Sequence, residues 1–166
     1  MSYNNIHEIT ENLYLGNLSA AEDIDKLKEL GIKKVLSVLE EINWPKYEDS
    51  QFMHKALSIQ DVDKQNIIKY FGESLNFIKG DDKVLVHCAA GVSRSASIVV
   101  AYIMWDKKMS FKDAFEFVES KRKYINPNPS FKEQLQLFEK ELIEKNYDID
   151  KIKFEEIKWE PKEKNF

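Results

Sequence analysis

The nine residues His87-Cys-Ala-Ala-Gly-Val-Ser-Arg-Ser95 constrain this chain more than any other stretch. The apolar run Val84-Leu85-Val86 comes just before them, and a long apolar run from Ala96 to Trp105 follows. A short apolar run, a tight polar segment and a longer apolar run read as strand, loop and buried helix. Cys88, the only cysteine, enters the loop; Arg94, one of only two arginines, opens the helix. The backbone N–H groups of Ala89, Ala90, Gly91, Val92 and Ser93 are expected to point into a concavity at the positive end of that helix. Such a nest suits a tetrahedral dianion, and its field favours the thiolate form of Cys88. The planar fork of Arg94 matches two oxygens of a phosphoryl group. A nucleophile beneath a bound phosphate, ringed by donors, fits phosphoryl transfer to sulfur. A structural cysteine beside a capping serine would not explain the Cys-x5-Arg spacing, the central glycine and the strand-to-helix setting together.

Composition narrows the classes. A chain of 166 residues that is 43% hydrophobic is one domain with a substantial core. No apolar run reaches membrane-span length, and the N-terminus carries no charged-then-apolar signal. The net charge of -4 gives no electrostatic case for nucleic acid or an anionic membrane. His7, His54 and His87 lack metal-ligand spacing, so neither a metal nor another cofactor is expected. One cysteine excludes an internal disulfide and fits a reducing compartment, the cytoplasm or the nucleus. Nothing in the sequence speaks to oligomeric state.

Along the chain, Leu13 to Leu15 reads as a strand. Ser19-Ala-Ala-Glu22 forms a capping box opening a helix that stops at Gly31. Val35 to Leu39 and Phe52 to Ile59 read as strands around a polar loop. Asp63 suits the N-cap of a helix reaching Lys79, with Ile67, Phe71, Leu75 and Ile78 on one face. Lys83 to His87 feeds the Cys88 loop, and Arg94 to Lys107 is the central buried helix. Ser110 and Ser130 are expected to cap two further helices, the first with Phe111, Ala114, Phe115 and Val118 inward, the second with Phe131, Leu135, Phe138 and Leu142. The order predicts an α/β fold: a single mixed, largely parallel central sheet of about four to five strands flanked by helices. Residues 1–146 form the catalytic domain in this reading. Residues 147–166 form a charged C-terminal extension, loosely ordered, with Phe154, Ile157 and Trp159 as anchors.

Phosphoryl transfer needs an acid at the leaving oxygen. Asp81 and Asp82 precede the 83–87 strand, and at about 3.3 Å per residue they lie at the sheet edge away from Cys88. Asp61 and Asp63 follow the strand ending at Ile59 and share the Cys88 edge if the strands are parallel. Asp63 has the competing capping role, which favours Asp61 without excluding Asp63. Ser95 is placed to donate to the departing sulfur, or only to cap the helix. Arg122, between Lys121 and Lys123, belongs either to a binding site or to a solvated basic face.

These residues resemble a known family. The stretch from His87 to Ser95 is similar to the signature loop of the protein tyrosine phosphatase superfamily, and Ala-Ala-Gly-Val-Ser within it resembles the dual-specificity branch. Leu13-Tyr-Leu-Gly16, Ala101-Tyr-Ile-Met104, Asn126-Pro-Asn-Pro129, Phe131 and Gln134-Leu135 resemble that branch too, so the likeness covers about residues 6 to 146. It implies a small cysteine-dependent phosphatase of the dual-specificity type, acting on phosphotyrosine and phosphoserine/threonine without a metal. It implies Cys88 as nucleophile, Arg94 and the loop residues Ala89, Ala90, Gly91, Val92 and Ser93 as phosphate binders, and Asp61 as general acid. It also implies Ser95 as a catalytic partner of the thiol, His87 as a residue orienting the loop, and Arg122 as a contact to phosphorylated side chains. Phosphorylated proteins, a protein kinase among them, are the implied partners. Relatives of such loops also act on inositol lipids, glucans or RNA 5′ ends, and others bind phosphoproteins without turnover. The lipid-directed loops carry lysines where this chain has Ala89, Ala90, Val92 and Ser93.

Overall fold

The computed structural model describes residues 4–162. Five strands form one sheet in the order β1-β2-β5-β3-β4, with β1 Ile6–Thr10, β2 Leu13–Gly16, β3 Ile32–Val38, β4 Met53–Leu57 and β5 Lys83–His87. Only the β1–β2 pair is antiparallel; β2, β3 and β4 join the sheet in parallel around β5. The α/β sheet expected from the sequence is therefore present. β1 was not legible because Ile6-His-Glu-Ile-Thr10 buries only Ile9 fully.

β5 has helices on both faces, so its side chains alternate between two cores. Leu85 packs with Val35, Tyr14, Ala20, Ala21 and Leu27 on one face. Val84 and Val86 face the larger core of α3 Phe71–Ile78, α4 Arg94–Asp106, α5 Phe111–Lys121 and α6 Pro129–Glu144. α4 is apolar on all sides because other elements surround it: ten of its residues are buried. Among the described residues no helix is long and apolar enough to cross a membrane.

Several helix starts differ from expectation, two of them because a better cap lies nearby. The helix assigned to 19–30 is two: α1 Leu18–Glu22, capped by Asn17, and α2 Ile24–Leu30, capped by Asp23. Asn128, not Ser130, caps α6, with Pro129 in the first turn where its missing N–H costs nothing. Asp63 caps no helix: the chain turns through a loop and a 3-10 turn at Ile68–Tyr70 before α3. Ser110 does cap α5 through the Asp113 N–H.

After α6 the chain turns back. Ile149 and Ile152 are buried in the larger core. The Phe154 ring packs at 5.8 Å from that of Phe138 and closes over Gly72. Ile157 also lies against this core, so residues 149–157 pack as part of it and are not loose.

Candidate active site

Parallel pairing brings three strand ends to one sheet edge, and the loops leaving them converge. β5 ends at His87 and leads into Cys88; β3 ends at Val38, two residues before Glu40; β4 ends at Leu57, four before Asp61. Asp81 and Asp82 sit at the opposite edge, where β5 begins.

The loop from Cys88 to Ser93 has a consistent orientation. Its six carbonyls all find donors outside its concave side. Cys88 C=O accepts from His87 Nδ1 at 3.0 Å, Ala89 from the Leu18 N–H at 3.0 Å and Val92 from the Asn126 N–H at 2.7 Å. Ala90 and Gly91 accept from Arg122, at 3.2 Å from Nη2 and 2.9 Å from Nε. Ser93 C=O accepts from Ser97, backbone N–H at 2.9 Å and hydroxyl at 2.7 Å. With every carbonyl held behind, the N–H groups are left for the concavity. The Gly91 N–H donates to Cys88 Sγ at 3.3 Å. Among the described residues, no protein group accepts from the N–H of Ala89, Ala90, Val92 or Ser93. Gly91 is obligatory: its φ is +69°, and a Cβ would meet the Gly16 carbonyl oxygen at 2.6 Å and Arg122 Nη2 at 2.7 Å.

Cys88 is 2% exposed, and Ser95 Oγ lies 3.1 Å from its sulfur. Ser95 does not cap α4; its side chain is committed to the thiol. Arg94 is 8% exposed, and both its protein bonds use Nη1: 2.9 Å to Glu40 Oε2 and 3.1 Å to the Ile59 carbonyl. Nε and Nη2, the other edge of the guanidinium, make no bond within the described residues. The Glu40 carboxyl is held below the usual carboxylate range by its own backbone N–H and by Arg94.

Asp61 is drawn to the same loop. Its Oδ1 accepts from Ser93 Oγ at 2.7 Å and Asn128 Nδ2 at 3.0 Å, while the Asn128 N–H donates to Ser93 Oγ at 3.0 Å. Both bonds to Asp61 fall on one oxygen, leaving Oδ2 unengaged. Its loop is braced as well: the Gln60 N–H donates to Gln65 Oε1, and buried Gln134 of α6 accepts from the N–H groups of Ile67 and Ile68. Asp63 is exposed and makes none of these contacts.

His87 faces away from Cys88, toward the α1–α2 side. Ser37 is its register partner on β3, and Ser37 Oγ lies 2.6 Å from His87 Nε2 and 2.7 Å from His54 Nε2. A carbonyl only accepts, so the His87 proton sits on Nδ1 toward Cys88 C=O; the Ser37 hydroxyl donates to His87 Nε2, and His54 Nε2–H donates to Ser37. Burial pushes the His87 imidazole down to about 4, which keeps this chain neutral, and burial lowers His54 as well.

Arg122 fits neither sequence alternative of a substrate contact or a solvated basic face. It is 1% exposed and lies behind the loop. Besides Ala90 and Gly91 it donates from Nη1 to the Asn4 carbonyl at 3.1 Å and to His7 Nδ1 at 2.8 Å, and it stacks 4.8 Å from the Tyr124 ring. Burial and the Arg122 charge lower the His7 imidazole, consistent with Nδ1 as acceptor.

The structure thus joins Cys88, the 89–93 loop, Arg94, Ser95 and Asp61 at one mouth and puts His87 and Arg122 behind it. Sequence reasoning gave no site role to Glu40, Asn128, Ser37, His54, Gln134 or His7, although Asn128 and Gln134 stand in stretches that carry the family resemblance. Glu40 was within reach of the edge argument that found Asp61; the others meet only through tertiary pairing.

Comparison with known proteins agrees with this geometry. Residues 13–141 match the family model described as dual specificity phosphatase, catalytic domain. The chain belongs to this family. It is 38% identical over 140 residues to dual specificity protein phosphatase 1-B of Xenopus laevis and 37% identical over 140 residues to the human dual specificity protein phosphatase 1, covering 82% of this chain in each case. The match spans only 37% and 38% of those relatives' lengths. Among solved structures, the human tyrosine phosphatase-like serine/threonine/tyrosine-interacting protein superposes with a TM-score of 0.79 at 36% identity, covering 83% of this chain and 97% of that one. DUSP15 superposes with a TM-score of 0.80 at 31% identity, covering 89% and 96%.

Proposed function

We propose that this chain is a protein phosphatase hydrolysing phosphotyrosine and phosphoserine/threonine through a cysteinyl-phosphate intermediate. The observation that carries the reading is the loop's one-sidedness: carbonyls held behind, N–H groups and the Cys88 sulfur in front. Family membership supports the activity.

The chemistry follows from which atoms are left uncommitted. A phosphoryl group in the nest takes the loop N–H groups and the Nε/Nη2 edge of Arg94 on its equatorial oxygens. Cys88 thiolate attacks phosphorus in line, and the P–O bond to the leaving group breaks. Asp61, protonated on Oδ2, gives that proton to the departing oxygen. Asp61 carboxylate then takes a proton from water, whose oxygen attacks the cysteinyl-phosphate. The S–P bond breaks, and the Ser95 hydroxyl and Gly91 N–H receive the thiolate. Phosphorylated proteins, protein kinases among them, are the substrates in this reading, in the cytoplasm or nucleus.

A phosphoprotein-binding module is the second reading, motivated by the likeness to a solved phosphatase-like interacting protein. The complete set of Cys88, Arg94 and Asp61 favours turnover. The test is hydrolysis of p-nitrophenyl phosphate and of phosphopeptides. Wild-type protein should turn both over with EDTA present, and acid quenching should trap radiolabelled phosphate on Cys88. Cys88→Ser should lose at least about 10³-fold. Activity lost on chelation and restored by metal, or retained in clean Cys88→Ser protein, would overturn the mechanism; absent wild-type turnover would favour the binding module.

A further inference from the structure

The segment after α6 retraces that helix toward the site. Phe154 packs on Phe138, Lys162 Nζ lies 3.5 Å from Glu133 Oε2, and Pro161 shares a cavity wall with Asn128, the α6 cap. These contacts step along α6 from its middle to its first turn, where Asn128 and Asp61 are hydrogen-bonded. Residues 161 and 162 lie beyond the 13–141 stretch matched to the family.

The cavity they complete has a volume of about 530 Å³, and its lining is Asp61, Val62, Asp63, Lys64, Asn128, Pro161 and Lys162. It adjoins the proposed acid directly. Asp61 and Asn128, hydrogen-bonded to each other, are both in its wall, so a polypeptide whose leaving oxygen meets Asp61 has this space beside it. Charge does not select an occupant: the lining carries two carboxylates, Asp61 and Asp63, and two ammonium groups, Lys64 and Lys162, the last paired with Glu133. The distinguishing surface is Val62, 39% exposed, facing a cavity that Pro161 also lines.

We infer that the C-terminal extension builds a specificity subsite with the acid loop, and that the subsite takes a large apolar side chain flanking the phosphorylated residue of a polypeptide substrate. The volume accommodates a leucine or phenylalanine side chain with part of its backbone. Burial against Val62 and Pro161 supplies the selectivity. This rests on the phosphatase reading, with Asp61 at the leaving group.

The test compares phosphotyrosine peptides carrying Leu or Gly at each of the positions flanking the phosphoresidue, with p-nitrophenyl phosphate as a substrate that has no flanking residue to place in the cavity. The full chain should prefer Leu at one position by about tenfold in kcat/KM. A chain ending at Glu160, which keeps the Phe154 and Ile157 anchors, and the point variant Val62→Ser should each cut that preference to about twofold or less while their p-nitrophenyl phosphate turnover stays near wild type. The point variant covers the case in which truncation lowers stability, read from thermal unfolding of all three proteins. A full chain without preference, or variants that keep it, would overturn the subsite. Absent p-nitrophenyl phosphate turnover by the full chain would instead overturn the phosphatase reading, and the subsite with it.

Discussion

The two arginines serve opposite sides of one loop. Arg94 stands in front with two bonds, both from Nη1, and keeps an edge unengaged. Arg122 stands behind with four bonds that use Nε, Nη1 and Nη2. Both are buried, yet a single nitrogen holds the first in place while every nitrogen of the second is committed to the fold. Donors left over do chemistry; donors fully matched hold shape. The same division runs through the loop itself, N–H groups forward and carbonyls back.

The largest expected effect separates the two arginines. Arg94→Lys keeps a charge but loses the fork, and turnover should fall by about 10³-fold with the unfolding temperature nearly unchanged. Arg122→Lys offers three N–H donors to four acceptors, so at least one of the Asn4, Ala90 and Gly91 carbonyls and His7 Nδ1 loses its partner, a cost of about 1–3 kcal/mol. Urea unfolding of both variants checks this; equal stability losses would erase the distinction between front and back.

Next in size is Asp61→Asn. The rate should drop by about 10²-fold with phenyl phosphate and much less with activated aryl phosphates that need no proton. The fall should be accompanied by a flattened basic limb of the pH–rate profile. Asp63→Asn should leave both unchanged, since Asp63 makes no contact with the loop. The reverse pattern would move the acid.

The back of the loop should also be sensitive to acid. The unfolded imidazole of His87 titrates near 6.5, and burial pushes the folded one to about 4. Between these values the unfolded chain binds a proton that the folded chain does not. Stability that is complete above pH 6.5 is therefore lost as the pH falls toward 4, by about 3 kcal/mol from this residue. His7 and His54, also lowered, act in the same direction. Urea midpoints that do not fall between pH 7 and pH 4.5 would contradict the neutral chain from His54 to Cys88.

The smallest effect tests the middle of that chain. Ser37→Ala removes the partner of two imidazoles and should cost about 2 kcal/mol. Ser37→Thr should recover part of it. An alanine variant as stable as wild type would mean the two histidines find other partners.

How much of this was legible follows from how local each feature is. β5, the loop and α4 are contiguous, so spacing alone carried Cys88, Arg94 and Ser95 to their positions. Asp61 was reachable because parallel strands put their C-terminal ends at one edge. Arg122 was misread because its neighbours Lys121 and Lys123 are exposed and its own destination, behind the loop, depends on α5 packing. Ser37 looked like an ordinary strand residue until register set it opposite His87. Helix starts slipped where Asn17 and Asn128 out-competed Ser19 and Ser130 as caps, and one helix became two where Asp23 capped a second start.

Cys88 is the only thiol in 166 residues, and it sits between Ser95 and the Gly91 N–H. Any sulfhydryl reagent therefore reports on one address. Mass added to the intact chain by such a reagent counts competent sites directly, and a sulfenic acid formed at Cys88 finds no second thiol in these residues to condense with. The protein carries its own built-in titration end point, and restoring it after oxidation is left to whatever small thiol the surroundings supply.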